Sequence, residues 1–225
     1  MAEPLAKNLE AVRRTIARSA ERAGRDPAGV TIVAVTKTFP VPRIREAMAA
    51  GLRVFGENRV QEAIPKIEEI GTRDANWHLV GHLQSNKVRF VEGRFSMVQS
   101  LDSTSLAQAL GRRLTAPLEV LIEVNVAAEP QKTGAAIAEV DAIASTIRSF
   151  PQLRLRGLMT IAPLVADPEE ARPAFRRLRA LRDEMSQRLG IPLPVLSMGM
   201  TDDYAVAVEE GATMLRLGRA LFGPR

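Results

Sequence analysis

The residue with the clearest chemical potential is a lysine at the end of an apolar strand. Residues 31–36 are uncharged and mostly β-branched, Lys37 follows them, and Pro40 and Pro42 then end the strand. An uncharged run of this kind is typical of a strand buried on both faces in a parallel sheet. An amine leaving such a strand is partly removed from water, which favours its neutral, nucleophilic form and suits attack on a carbonyl group. The commoner alternative is a strand-end lysine that extends its amine into solvent, and this stretch alone leaves both interpretations open.

Strands and helices alternate along the whole chain. An amphipathic helix is predicted over residues 4–23, before the first strand. Seven further strands are predicted, at residues 53–58, 77–81, 95–99, 118–124, 153–159, 195–197 and 213–216. Helices are predicted between them, at residues 41–50, 59–70, from about 85, 104–114, 135–150, 171–189 and 202–210. This alternation predicts an α/β protein with a (β/α)8 TIM barrel, as a single domain over residues 1–225.

An open, doubly wound sheet is the alternative fold, and two details favour closure. The chain ends just after the eighth strand, so we expect no helix to follow that strand. The extra N-terminal helix is then available to cover the gap between the last strand and the first. Helix caps are expected at Asp102 or Ser103 and at Thr201, which is followed by Asp202 and Asp203 in the first turn.

In a barrel of this type the functional site lies at the carboxyl ends of the strands. The residues leaving those ends are rich in hydrogen-bonding groups and include one amine. They are Lys37, Asn58, residues 82–86, Asn125, residues 159–160, residues 197–200 and residues 216–218. Of the two histidines, His78 lies inside a predicted strand and is expected to be structural, whereas His82 is a candidate for lining the site.

Two neighbouring segments have the features of a phosphate site. Ser197, Met198 and Gly199 lead from the seventh strand towards a helix, and Gly199 allows a ligand to approach the backbone. The Arg216-x-Gly218 turn adds donors from the eighth strand, where barrels of this class commonly bind phosphate. The acids at 202 and 203 would repel an anion, so we expect a phosphate on the side away from them. An ordinary capped helix is the alternative.

Composition excludes several function classes. The 225 residues are 46% hydrophobic and contain no cysteine, which excludes disulfides and thiolate chemistry, and two histidines are too few for a metal site of their own. The net charge of +5 is spread over arginine-rich helix faces, so nucleic-acid binding is a minority alternative. Neither a signal peptide nor a transmembrane run is recognisable, and a soluble cytoplasmic protein is expected.

Five segments together carry a family resemblance across the whole chain. They are residues 35–37, the FGENRVQE run at 55–62, the WHLVGHLQSNK run at 77–87, residues 196–200 and residues 216–218. In these segments the sequence resembles the pyridoxal phosphate homeostasis protein family, also called YggS/PROSC. The resemblance implies a barrel like the N-terminal domain of alanine racemase, with pyridoxal 5′-phosphate held as an internal aldimine.

The resemblance also implies roles for individual residues. Lys37 would form the Schiff base, Asn58 would lie close to the ring, and Arg216 would face the pyridine nitrogen. Ser197 and Gly218, with the backbone of Arg219, would form the phosphate cup, and Met198 and Gly199 belong to the same loop. Position 219 is usually small in the family, often threonine. Its arginine side chain would either lie near the phosphate or point to water.

The predicted function is non-catalytic binding and release of pyridoxal phosphate. An arginine cannot give up its proton, so Arg216 could only donate to the pyridine nitrogen, and the ring would be a poor electron sink. A racemase of this type takes its second base, a tyrosine, from a second domain. This chain has one tyrosine, Tyr204, and no second domain is expected. We therefore expect a monomeric carrier that maintains vitamin B6 homeostasis and supplies apo-enzymes.

Three other functions remain as alternatives at this point. The first is an amino-acid racemase that uses Lys37 as one base and water or His82 as the other. The second is a cofactor-free lyase in which Lys37 attacks the carbonyl of a sugar phosphate. The third is a nucleic-acid-binding module that depends on the positive charge.

Overall fold

Eight parallel strands close into a barrel in the order of the sequence. The computed structural model describes residues 5–129, 132–163 and 165–223. The strands are β1 (Thr31–Val35), β2 (Val54–Glu57), β3 (Asn76–Leu79), β4 (Met97–Leu101), β5 (Leu118–Glu123), β6 (Leu153–Met159), β7 (Val195–Ser197) and β8 (Met214–Leu217). Each strand pairs with the next and β8 pairs with β1, which confirms the (β/α)8 barrel and excludes the open sheet.

Helices connect the strands on the outside of the barrel. They are α1 (Leu5–Arg22), α2 (Val41–Ala49), α3 (Val60–Ile70), α4 (Thr104–Arg113), α5 (Val140–Arg148), α6 (Arg172–Leu189), α7 (Tyr204–Glu209) and α8 (Arg219–Phe222). Short 3-10 helices lie at Pro27–Gly29, Ser85–Phe90, Ile137–Glu139 and Pro168–Ala171, so the third connection is 3-10 rather than α-helical. Residue 4, the predicted start of the first helix, lies outside the described residues.

The chain continues as a helix after β8, and the expectation that none would follow was wrong. The single-turn helix α8 forms because the Gly218 carbonyl accepts the N–H groups of Leu221 and Phe222, both at 3.0 Å. This turn buries the two apolar side chains at its end. The Asn8 side chain of α1 donates to the Leu221 carbonyl at 3.0 Å. Helix α1 thus packs against α7 and α8, the helices before and after β8 in the chain.

One of the predicted helix caps is present and another is not. Ser103 precedes α4, and its side chain accepts from the N–H of Leu106 at 3.3 Å, as expected. Thr201 does not cap α7, because that helix begins only at Tyr204. The Thr201 hydroxyl instead accepts the N–H of Ala220 at 3.2 Å. This bond ties the loop after β7 to the turn after β8.

The barrel separates two apolar regions. A large core lies between the strands and the surrounding helices. A smaller cluster fills part of the barrel interior and consists of Val33, Val80, Met97, Leu121, Met159 and Met214. The remaining interior space contains polar side chains, which are described below. Both faces of β1 are buried from Val33 onwards, whereas Thr31 at its start is exposed, so the expected burial holds for the end that leads to Lys37.

The described part of the chain contains neither a candidate membrane-spanning helix nor a candidate metal site. No helix there is long and apolar enough to cross a membrane. Within the same residues, no group of three or more histidine, cysteine, aspartate or glutamate side chains is arranged to hold a metal ion.

Strands β6 and β7 approach so closely at Gly157 that no side chain fits there. A Cβ atom at this position would lie 1.8 Å from the carbonyl oxygen of Val195, and the backbone φ is +154°. The register pairs Gly157 with Val195 directly. The absence of a side chain at residue 157 therefore allows the barrel to close on this side.

We predict that Gly157→Ala lowers the free energy of unfolding by about 3 kcal/mol, because β6 and β7 must separate to admit the methyl group. Gly190→Ala is the matched control, since Gly190 also has a positive φ, +64°, but a Cβ atom there would have no neighbour within 4 Å. The control should lose about 1 kcal/mol from backbone strain alone. Urea denaturation of both variants measures the difference, and equal losses would contradict the close-approach argument.

Candidate functional site

A cavity opens at the carboxyl ends of the strands, where the sequence predicted the site. Its volume is about 580 Å³, within the range of roughly 300–1,000 Å³ usual for small-molecule sites. It is lined by Val35, Lys37, Asn58, Val80, Gly81, His82, Glu123, Thr133, Ile161, Met200, Thr201, Asp202, Arg216, Gly218 and Arg219. Five of the predicted site residues and the candidate His82 are thus brought to one cavity.

Lys37 and Gly218 reach this cavity from neighbouring strands. Residue pairing of β1 with β8 places Ala34 opposite Leu217, so Val35 and Gly218 follow side by side. A Cβ at Gly218 would lie 3.6 Å from the Val35 carbonyl oxygen. Lys37 is two residues further along, in the turn after β1, and is half-buried. Closure of the barrel therefore brings the amine next to the turn that was predicted to bind phosphate.

Three backbone N–H groups are available where β7 and β8 end. Among the described residues, the amides of Gly199, Gly218 and Arg219 have no hydrogen-bond acceptor. Gly218 is the residue before α8, and Arg219 is its first residue, where an amide has no partner within the helix. These donors come from two adjacent strand ends, an arrangement suited to binding one anion.

The other residues of the predicted phosphate loop are placed differently. Ser197, Met198 and Gly199 are buried, and none of them is among the residues lining the cavity. The Met198 N–H donates to the Met214 carbonyl at 3.1 Å, and the Met200 N–H donates to the Asp203 carboxylate at 2.6 Å. The amides of Met198 and Met200 are therefore occupied within the protein. A ligand role for Ser197 and Met198 stays a prediction.

A chain of hydrogen bonds inside the barrel fixes Arg216. Its guanidinium donates to the Ser197 hydroxyl and to the Thr160 carbonyl, both at 2.7 Å. Ser197 in turn donates to the Gln99 side-chain oxygen at 2.6 Å, and the Gln99 amide donates to Nδ1 of His78 at 2.9 Å. The Gln99 amide also donates to the Met214 sulfur at 3.0 Å. The Ser197 hydroxyl thus orients Arg216, and the proton of neutral His78 lies on Nε2.

Burial determines the protonation states of Arg216 and His78, the two ends of this hydrogen-bond chain. Desolvation lowers the pKa of Arg216 to about 10, while the negative charges of Glu123 and Asp203 act in the opposite direction. Arg216 therefore stays protonated at neutral pH. Desolvation also lowers the pKa of His78 to about 4, which keeps the imidazole neutral and able to accept from Gln99. The expectation that His78 is structural agrees with its place inside the barrel.

Glu123 is a cavity residue that the sequence analysis missed. It ends β5, is almost fully buried, and accepts a hydrogen bond from the Thr133 hydroxyl at 2.5 Å. Burial raises the pKa of its carboxyl group, an effect that Thr133 and Arg216 oppose. Strand β5 also contains Glu119, so the available signal was only the position of Glu123 as the last residue of the strand. Asn125 was the residue predicted to leave this strand end towards the site. Its side-chain amide donates to the Glu129 carbonyl at 2.7 Å and so stabilises its own loop.

Charged pairs border the opening of the cavity. The Arg219 guanidinium donates to the Asp202 carboxylate at 2.6 Å, and both side chains are largely exposed. His82 faces Asp102, with 3.4 Å between Nδ1 and Oδ2. In this structure the Arg219 side chain therefore pairs with a neighbouring acid, and its backbone N–H is the group presented as an anion donor.

The loops after β2 and β3 are in direct contact beside the cavity. A Cβ at Gly81 would lie 2.4 Å from the Asn58 carbonyl oxygen. The Ser100 hydroxyl fixes the same residue by donating to the Gly81 carbonyl at 2.7 Å. This contact holds Asn58 at the cavity wall, and it explains why a glycine stands between Val80 and His82.

We predict that His78 makes stability depend on pH. Its pKa is about 4 in the folded protein and about 6.5 when unfolded, so the unfolded state binds more protons between these values. The stabilisation is complete above pH 6.5 and is lost as the pH falls towards 4, by about 3 kcal/mol in total. The measurement is urea denaturation of wild type and of His78→Asn, which keeps an acceptor for Gln99. A difference between the two proteins that does not change with pH would contradict the argument.

Comparison with known proteins places the chain in a family. The sequence model of the family described as "Alanine racemase, N-terminal domain" matches residues 7–225. A protein of Pseudomonas aeruginosa named pyridoxal phosphate homeostasis protein is 45% identical over 224 residues, which are 98% of this chain and 96% of the relative.

Two solved structures are also close. One is PipY of Synechococcus elongatus with PLP bound, at a TM-score of 0.85 and 38% identity over 97% of this chain and 100% of that one. The other is a crystal structure described as "an unknown protein" from Bifidobacterium adolescentis, at 0.90 and 36% identity, over 97% and 94%. The chain therefore belongs to the pyridoxal phosphate homeostasis protein family, which shares the alanine racemase N-terminal fold.

Proposed function

We propose that this protein binds pyridoxal 5′-phosphate reversibly on Lys37 and so keeps the concentration of this reactive aldehyde in balance. One observation carries the proposal: an amine, a buried guanidinium and the unpaired backbone amides of Gly218 and Arg219 belong to residues that line one cavity of suitable size. Each matches one functional group of the ligand, namely the aldehyde, the pyridine nitrogen and the phosphate. The names of the relatives point to the same ligand and the same role.

Lys37 does the covalent chemistry in this proposal. Its neutral amine adds to the aldehyde carbon, the carbonyl oxygen leaves as one molecule of water, and a C=N bond remains. Addition of water reverses the step and restores both the amine and the aldehyde. No oxidant or reductant is needed, so the same residue can take up and release the ligand.

The phosphate lies against the ends of β7 and β8. Gly218 and Arg219 supply two amides from residues that line the cavity. Ser197, Met198 and Gly199, which the family resemblance also assigns to this group, are buried and do not line the cavity, and their role towards the phosphate stays a prediction. Asn58 lines the cavity wall beside the ring.

Arg216 makes the site a poor catalyst of carbanion chemistry. It stays protonated, since its pKa of about 10 lies well above neutral pH. It can therefore donate to the pyridine nitrogen but cannot leave a proton there, and the electron-withdrawing power that such catalysis requires is lost. A racemase needs a base on each face of the ligand, and Tyr204 is not among the residues lining the cavity. We therefore favour a carrier over an enzyme.

The cellular role follows from these properties. A protein that holds the aldehyde reversibly limits its side reactions and can supply it to apo-enzymes. We infer a monomer that acts in the cytoplasm, as a barrel over the whole of residues 1–225. The cofactor-free lyase is disfavoured, because a buried arginine beside the two amides of Gly218 and Arg219 suits a phosphorylated pyridine better than a sugar phosphate alone.

We predict that borohydride reduction of the protein loaded with pyridoxal phosphate attaches the ligand to Lys37, because reduction makes the C=N bond permanent. Peptide mass spectrometry locates the attachment. Lys37→Ala should lose the aldimine absorption band and the adduct that borohydride fixes, while Lys7→Ala, which changes an exposed lysine in α1, should behave like wild type. Recovery of unmodified Lys37 from fully loaded, reduced protein would rule out the assignment.

We predict that the loaded protein does not exchange the α-hydrogen of alanine. The test is incubation with L-alanine in D2O, followed by proton NMR and chiral chromatography, with free pyridoxal phosphate as the reference. The expected rate is no higher than the reference, because Arg216 does not supply a proton to the ring. Exchange above the reference that disappears in Lys37→Ala would establish the racemase alternative instead.

A further inference from the structure

A second lysine lies beneath the Lys37 turn, and all its hydrogen-bond donors are used. Lys66 of α3 is 7% exposed. Its ammonium group donates to the Thr36 carbonyl, to Oε1 of Glu57 and to Oε1 of Glu62, each at 2.8 Å. An ammonium has three N–H donors, so Lys66 is fully satisfied inside the protein.

The acceptors of Lys66 hold the residues on both sides of Lys37. Before it, the Thr36 hydroxyl donates to Glu57 at 2.5 Å, and the Thr36 carbonyl also accepts the Phe39 N–H at 3.0 Å. After it, the Thr38 N–H donates to the Glu62 carboxylate. The backbone on either side of Lys37 is thus connected to one buried ammonium group, directly or through one carboxylate.

The turn that Lys37 occupies is one that its own sequence does not favour. Thr38 has a φ of +68°, in the left-handed region that β-branched residues avoid. Such a conformation persists only where surrounding contacts enforce it, and residues of this kind cluster at functional sites. Lys66 and Glu62 are the contacts that enforce it here. The turn depends on α3, which is remote from it in sequence.

Lys66 also balances the charges of the two carboxylates. Glu57 is fully buried, and its second oxygen has no hydrogen-bond partner among the described residues. Burial raises the pKa of Glu57, and the hydrogen bond from Lys66 is the largest effect that opposes it. Without the ammonium group, the carboxylates of Glu57 and Glu62 would lie beneath the turn with no positive charge to offset their repulsion.

We propose that Lys66 is the positioning residue for Lys37: through Thr36, Glu57 and Glu62 it holds the turn in the shape that directs the Lys37 amine into the cavity. This inference rests on the proposed function and gives a physical role to the FGENRVQE segment, which supplies both glutamates. Lys66 itself does not line the cavity and does not react with the ligand.

The first test compares Lys66→Met with wild type by titration with pyridoxal phosphate. We expect the Kd to rise at least tenfold. We also expect the induced circular dichroism of the visible band, per mole of bound ligand, to change, because the ring takes a new orientation relative to the cavity. Lys7→Met is the matched control and should leave both quantities unchanged. A folded Lys66→Met protein with the wild-type Kd and dichroism would overturn the proposal.

The second test asks whether Lys66 acts through the turn. Glycine adopts a positive φ without strain, so Thr38→Gly should reduce the dependence on Lys66. Lys66→Met should raise the Kd by a certain factor in wild type. In the Thr38→Gly background, the same substitution should raise the Kd by a factor at least three times smaller. A general loss of stability would give the same ratio in both backgrounds, and that result would overturn the positioning role.

A third variant decides the question if Lys66→Met does not fold. Glu62→Gln keeps an oxygen to accept from Thr38 but removes the charge, and residue 62 is partly exposed. It should raise the Kd several-fold and alter the induced dichroism, whereas wild-type values for both would overturn the proposal. Absence of any Lys37 adduct in the wild type would instead contradict the proposed function, which keeps the two failures distinguishable.

Discussion

The hydrogen-bonded junction between β8 and β1 is the constraint on which the site depends. These strands are the last and the first of the chain, and their register places Val35 beside Gly218. An open sheet with the same elements would leave Lys37 and the turn at Gly218 at opposite edges. Closure brings together groups about 180 residues apart in sequence and places them on rigid strand ends. The proximity of Lys37 and Gly218 therefore depends on the pairing of β8 with β1.

A barrel interior with a buried cation needs a specific arrangement of polar partners. Arg216 is stabilised by the Ser197 hydroxyl, the Thr160 carbonyl and the nearby negative charges of Glu123 and Asp203. The bond from Ser197 continues through Gln99 to a neutral imidazole, so the chain ends at an acceptor rather than at a second charge. A protonated histidine there would reverse the last bond. Burial prevents this, and the low pKa of His78 follows from its position.

The periodicity of the chain was sufficient to predict the architecture, because parallel strands and their helices carry strong apolar patterns. It placed all eight strands, and the strand order with the known chirality of such units left few other folds. The periodicity did not indicate α8, because a four-residue turn is too short to show a period. This turn also contacts α1, which no local pattern signals. The sequence pattern also misplaced the cap of α7, because Thr201 bonds Ala220 across the loop, a pairing that no local pattern signals.

The positions of the strand ends could be predicted from the sequence, whereas the hydrogen-bond partners of the side chains there could not. Lys37, Asn58, Gly218 and Arg219 follow strands and Arg216 lies within β8, and all five line the cavity. Ser197 ends β7, but its hydroxyl is bonded to Gln99 and Arg216 inside the barrel, which the sequence does not reveal. The roles of Glu57, Glu62 and Lys66 were likewise hidden, because their three-dimensional convergence depends on how α3 packs on β2.

The bond from Asn8 to the Leu221 carbonyl has a consequence beyond packing. It joins the first helix of the chain to the short turn whose leading amides face the cavity. The N-terminal helix thus supports this turn from the outside of the barrel without lining the cavity. Under the proposed function, loss of the Asn8 side chain would speed release of the bound anion, while the barrel itself remained closed.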